Sequence, residues 1–181
     1  MGHIRVGLSS WTDKSLLQSG KFYPSEVRQD AEARLRYYAQ QFPDLVEVNS
    51  TYYALPSERN AHLWNQRTPD GFLFDIKLYS LFTHHPTRTN RMPKDIRESL
   101  DAETAKKSRI YWRDMPEELT EELLRRYRLA IAPLHDTDKL GAVLAQFPRW
   151  FFPGEDSLKH ILWLKEHLGD YSLAIEFRNG D

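Results

Sequence analysis

A chain of 181 residues can bury the core of one domain, and 40% apolar with 28% charged residues is the make-up of an ordinary soluble globular protein. A net charge of −1 gives no global pull toward nucleic acid, membranes or cations, so any such affinity must arise in a local patch. The absence of cysteine excludes disulfides, thiolate metal ligands and a cysteine nucleophile.

The first residues, Met1-Gly2-His3-Ile4-Arg5-Val6-Gly7, contain no signal-peptide core, and no later run is long enough to span a bilayer, so a cytoplasmic location is expected. Ile4 to Leu8 reads as a first strand. Leu35, Tyr38, Ala39 and Phe42 then fall on one face of a helix before a second strand, Leu45 to Asn49. Ser57 caps the next helix, which carries Ala61 and Trp64 and stops before Thr68-Pro69. Phe72 to Leu78 is the third strand. Leu119, Leu123, Tyr127, Ile131 and Leu134 mark a longer helix that leads to a fourth strand, Gly141 to Phe147. Leu158, Ile161, Leu162 and Leu168 mark a further helix that Gly169 ends, and Leu173 to Arg178 is the fifth strand. Strand alternating with helix predicts parallel β/α units in a single domain.

Alternation within the strands favours a barrel over an open doubly wound sheet. Val46 and Val48 oppose Glu47 and Asn49; Phe72, Phe74, Ile76 and Leu78 oppose Leu73, Asp75 and Lys77; Leu173, Ile175 and Phe177 oppose Ala174, Glu176 and Arg178. Central strands of a doubly wound sheet are apolar on both faces, whereas a TIM-type β/α barrel covers its outer face with helices and turns polar inside, toward the C-terminal strand ends. Eight such units need roughly 250 residues, so the five found here predict an incomplete barrel with open edges available for self-association. The long segment 85–138 between strands three and four is a helical excursion or a lid. Its Lys106-Lys107-Ser108-Arg109 and Ile110-Tyr111-Trp112-Arg113 could close on an anionic or ring-bearing ligand.

Gly7-Leu8-Ser9-Ser10-Trp11, Phe22-Tyr23-Pro24, Val46-Glu47-Val48-Asn49-Ser50-Thr51-Tyr52-Tyr53 and Leu55-Pro56 occur in this order. Phe72 to Lys77, Thr83-His84, Leu140 to Pro148 and Glu176-Phe177-Arg178 follow. Together they resemble the YecE-like family, the domain of unknown function numbered seventy-two. The resemblance spans essentially the whole chain and about the front two-thirds of the family domain. It implies a β/α barrel and no particular activity. Asp75 stands where the resemblance leads us to expect a small residue, and could pair with Lys77.

The candidate site lies at the strand ends. Glu47, Lys77, His84 and Glu176 are the candidate catalytic groups, and Ser9, Trp11, Asn49, Tyr52, Gln146 and Arg178 the candidate ligand-binding ones. Glu47 and Glu176 could share acid and base work or, with His84, hold a divalent metal. The structural alternative is a salt-bridge network with Lys77 and Arg178. Lys77 reads as a counter-charge or anion contact, because neighbouring carboxylates would raise its pKa and disfavour a Schiff base. Arg178 suits bidentate binding of phosphate or carboxylate. His84 suits a general base or metal ligand, with an exposed turn, suggested by the following His85-Pro86, as the structural alternative. Trp11 and Tyr52 either stack on a ligand ring or pack in the core; Ser9, Asn49 and Gln146 either bind ligand or cap loops. An enzyme or degenerate enzyme taking a small polar or anionic ligand is the first expectation. A nucleic-acid binding or phosphodiester-processing barrel and a non-catalytic partner-binding protein are the alternatives.

Overall fold

The computed structural model describes residues 4–180. Helix α1 (Lys14–Gln18) starts at Asp13, whose carboxylate accepts from Ser15 N, and α2 (Ala31–Gln41) starts at Asp30, which accepts from Ala33 N. Leu35, Tyr38 and Ala39 of α2 are buried, as their spacing predicts. Strand β1 (Leu45–Val48) is followed by the single turn α3 (Ser50–Tyr53) and by α4 (Glu58–Gln66), with Ser57 accepting from Asn60 N at its cap. Strand β2 (Leu73–Lys77) leads into a 3-10 turn over Ser80–Thr83. Next come β3 (Thr87–Arg88), α5 (Lys94–Glu98), α6 (Ala102–Lys106) and β4 (Arg109–Ile110). The chain continues through α7 (Glu117–His135), β5 (Leu140–Phe147), α8 (Glu155–Leu168) and β6 (Leu173–Phe177).

Two sheets result. The larger is wholly parallel with strand order β1-β2-β5-β6, and the smaller is the antiparallel pair β3–β4. Val46, Val48, Phe74, Ile76, Val143, Ala145 and Phe147 form the buried face, under α4 and α7. Burying each large side chain of this kind contributes roughly 1.5–3 kcal/mol. Tyr127 of α7 reaches the strand above it, its hydroxyl donating to the carbonyls of Ile76 and Lys77 at 3.3 Å. On the opposite face Glu47, Asp75, Lys77 and Gln146 are half-buried.

The expected first strand does not form. Leu8 O accepts from Glu47 N at 3.0 Å, but the neighbouring groups are taken by side chains: Leu8 N donates to the Tyr38 hydroxyl at 2.7 Å and Val6 N to the Asp44 carboxylate at 3.1 Å. Side-chain acceptors thus compete successfully with the ladder. The sheet of the described residues therefore has four strands instead of five.

Candidate functional site

Parallel strands bring their C-terminal ends to one edge, where β2 presents Lys77, β5 presents Gln146, and β6 presents Glu176 followed by Arg178. Gln146 and Glu176 are partners in register. The side chains form one chain of contacts. Lys77 Nζ donates to Gln146 Oε1 at 3.0 Å, Gln146 Nε2 donates to Glu176 Oε2 at 2.5 Å, and Arg178 Nε meets Glu176 Oε1 at 2.6 Å. The ammonium of Lys77 is thus held by a neutral amide and makes no ion pair among the described residues. The Arg178 side chain is 57% exposed.

Helix α3 supplies the wall. Thr51 Oγ1 contacts the carbonyls of Val48 at 3.0 Å and Lys77 at 2.6 Å, which fixes the turn against β2. The adjacent Tyr52 ring then lies 5.4 Å from Lys77 Nζ. Burial, reinforced by Tyr53, pushes the Tyr52 phenol up to about 12, so it remains a neutral hydroxyl at neutral pH.

His85 completes the group. Its ring packs edge-on against Tyr52 at 5.3 Å and lies 6.0 Å from Trp150, and its Nδ1 sits 2.9 Å from Thr83 Oγ1. Burial first, then the charge of Lys77, His84 and Arg178, lower its pKa against a small opposing backbone contact from Thr83. The imidazole is thus held neutral, and the neighbouring cations make it a weaker base than a free histidine.

Of the two adjacent histidines, the structure places His85 beside Tyr52 and Lys77, whereas His84, the expected catalytic one, packs against a different set of rings. His84 adopts a left-handed backbone conformation (φ 60°) and stacks on Trp112, with Phe151 at 5.2 Å and His160 at 4.3 Å. Its Nε2 is buried without a hydrogen bond. The sequence held one usable signal. His85 precedes a proline, which disfavours the helical region at that residue, and the left-handed turn falls on His84.

The other candidates separate. Trp11 is buried against Trp64 at 5.7 Å and Phe74 at 6.5 Å, in the core instead of at the rim. Asn49 donates to the Ser9 carbonyl, which ties the first segment to the end of β1. The Glu47 carboxylate makes no hydrogen bond or ion pair among the described residues. It is three strands away from Glu176 in the sheet order, about 14 Å at the usual strand spacing, too far to share a proton with it. Asp75 does not pair with Lys77. It accepts from Ala142 N at 2.9 Å across the irregular β2–β5 register, in space that exists because Gly141 has no Cβ. Burial raises the Asp75 pKa, and the Ala142 bond partly offsets this. Among the described residues no three of His, Asp and Glu come together to hold a metal ion, so Glu47, Glu176 and His84 do not form the ligand set considered for one.

The chain matches the family described as "Protein of unknown function DUF72" over residues 5–181, and it belongs to that family. It is 28% identical over 176 residues to the UPF0759 protein YunF of Bacillus subtilis (strain 168), covering 97% of this chain and 51% of that protein. Among solved structures it resembles a DUF72 family protein from Enterococcus faecalis V583, with TM-score 0.65 and 26% identity over 98% of this chain and 51% of that one. A DUF72 family protein from Thermotoga maritima MSB8 gives TM-score 0.53 and 28% identity over 81% of this chain and 46% of that one. The chain spans about half the length of these relatives, so the expected two-thirds share of the family domain is not borne out.

Proposed function

We propose that this member of the family binds a small anion, carboxylate or phosphate, at the ends of β2, β5 and β6, and that the four-stranded sheet is part of a TIM-type β/α barrel. The carrying observation is the row Lys77–Gln146–Glu176–Arg178, in which the lysine charge has no carboxylate partner. The ligand would sit between Lys77 and Arg178, with the Tyr52 ring as a wall. His85, packed on Tyr52 and kept neutral by burial and nearby cations, is the candidate proton acceptor beside the ligand, and an anionic ligand would raise its proton affinity by offsetting those cations. The barrel reading is supported by the one-sided polarity of the strands and by relatives about twice as long. Titration calorimetry with inorganic phosphate and with small dicarboxylates tests the site. Lys77→Met should weaken binding by about tenfold or more at unchanged melting temperature. Wild-type affinity in that variant would remove the basis of the reading.

A second reading, a partner-binding protein, is favoured by one observation. Ile175 and Phe177 of the edge strand β6 are exposed, beside an apolar cleft of about 480 Å³ lined by Phe151, Phe152, Leu158 and Phe177. The partner in this reading is a second copy of the chain, and dependence of mass on concentration is its test.

A further inference from the structure

The β3–β4 hairpin and α5 enclose a cleft of about 910 Å³, away from the row described above. Five cations line it: Arg88, Lys94, Arg97, Lys107 and Arg109. Two are compensated, Lys107 by Asp114 at 2.8 Å and Lys94 by Glu98, the one carboxylate of the lining, at 3.7 Å. Arg88, Arg97 and Arg109 make no ion pair and donate no side-chain hydrogen bond among the described residues, and the Nε of Arg97 is buried without a partner. Three guanidiniums thus face one cleft with nothing to bind.

The arrangement of two of them is unfavourable by itself. Arg88 and Arg109 are directly opposed in the β3–β4 register, which puts both side chains on one face of the hairpin. Like charges in that position destabilise a strand pair, and a pair this short has little stability of its own. The hairpin is held from its other side and at its base. Ile110 is fully buried, Thr87 Oγ1 lies 2.7 Å from Ser80 Oγ, and Thr89 donates from its hydroxyl to Lys107 O at 2.6 Å. This anchoring fixes the two arginines outward, toward the cleft.

We infer that this cleft binds a small molecule carrying more than one phosphate, whose oxygens are shared by Arg88, Arg97 and Arg109. Guanidinium forks match phosphate oxygens bidentately, and an anion between Arg88 and Arg109 turns their repulsion into attraction to a common partner. A single phosphate would leave most of the volume and at least one guanidinium unused. A nucleic-acid strand fits less well, because no aromatic ring lines this cleft to stack a base. Arg88 and Arg109 also line an adjoining cleft of about 610 Å³ with Arg91, Tyr52 and Tyr53, whereas Arg97 lines only the larger of the two.

Calorimetry with inorganic tripolyphosphate is the test, on the wild type, on Lys77→Met, and on Lys77→Met carrying either Arg88→Ala/Arg109→Ala or Arg97→Lys, each checked by thermal melting. In the Lys77→Met background, which removes the strand-end site, adding the double change or Arg97→Lys should still lose about tenfold or more in tripolyphosphate affinity. Three outcomes overturn the inference: no tripolyphosphate binding to the wild type at millimolar concentration, equal affinity with and without the double change in the Lys77→Met background, or orthophosphate binding as tightly as tripolyphosphate in that background. Tighter binding of a single-stranded oligonucleotide, increasing with its length, would overturn the small-molecule assignment in favour of nucleic acid.

Discussion

His160 is a buried imidazole with one hydrogen bond, from its Nε2 to Phe82 O at 2.8 Å, in a shell of Trp112, Trp163 and His84. Burial pushes its pKa down to about 4; the bond to Phe82 opposes the shift and His84 adds to it. The unfolded chain takes up a proton on this residue near pH ~6.5, so between there and about pH 4 the unfolded state binds more protons than the folded one. The contribution of His160 is therefore complete above the unfolded value and is lost as the pH falls, by on the order of 3 kcal/mol. His84, lowered by its own burial, acts in the same direction. In His160→Gln the amide can still donate to Phe82, and urea midpoints should fall less between neutral pH and pH ~4.5 than in the wild type. Identical pH slopes would refute the assignment. At this scale the sequence was a partial guide. Lys77, Gln146, Glu176 and Arg178 are legible because strand alternation puts them on one face near one edge. The choice between His84 and His85 rests on a single left-handed residue, and the burial of Trp11 rests on packing against Trp64, so neither follows from spacing.

Helix α8 shows what periodicity can and cannot settle. Its apolar residues lie on nearly every side, and the pattern Leu158, Ile161, Leu162, Leu168 selects a face that is only partly the buried one. His160, Leu164 and Leu168 are buried, while Leu158 and Leu162 are 56% and 58% exposed. Leu164→Ala should destabilise the fold by about 2–5 kcal/mol by opening a cavity, whereas Leu162→Ala should stay within about 0.5 kcal/mol. Urea unfolding of the two variants checks this, and equal losses would mean that the helix is rotated from the described orientation. Helices α2, α4 and α7 are easier to read, because each has one apolar stripe and α2 and α4 have a side-chain cap as well. The β3–β4 hairpin was hidden for the opposite reason: two residues per strand are too few to show alternation. The first segment failed as a strand although its sequence alternates, since Tyr38 and Asp44 capture its backbone donors.

For the whole molecule, strand-helix alternation was enough to predict a parallel α/β domain, because each unit is local in sequence. Closure of the sheet is not a local property, and the polarity of the strands bears on it only indirectly. The consequence lies at the edge strand. Ala145 and Phe147 on β5 are fully buried, but their register partners Ile175 and Phe177 on β6 are 37% and 53% exposed. Phe152, at 61%, and Leu158 extend this apolar surface onto the start of α8. Such a surface beside a strand with unpaired backbone groups is a ready partner for another copy. A stable pair would need to bury on the order of 1,000 Å² or more, which requires the strand edge and the apolar cleft to be covered together. Sedimentation velocity over a concentration series should then show mass rising above that of the single chain, and Phe177→Glu should hold the protein monomeric with little change in melting temperature. A wild type that stays monomeric throughout would leave the exposed phenylalanines without a second copy as their cover, and the strand-end site would stand as the reading of this face of the protein.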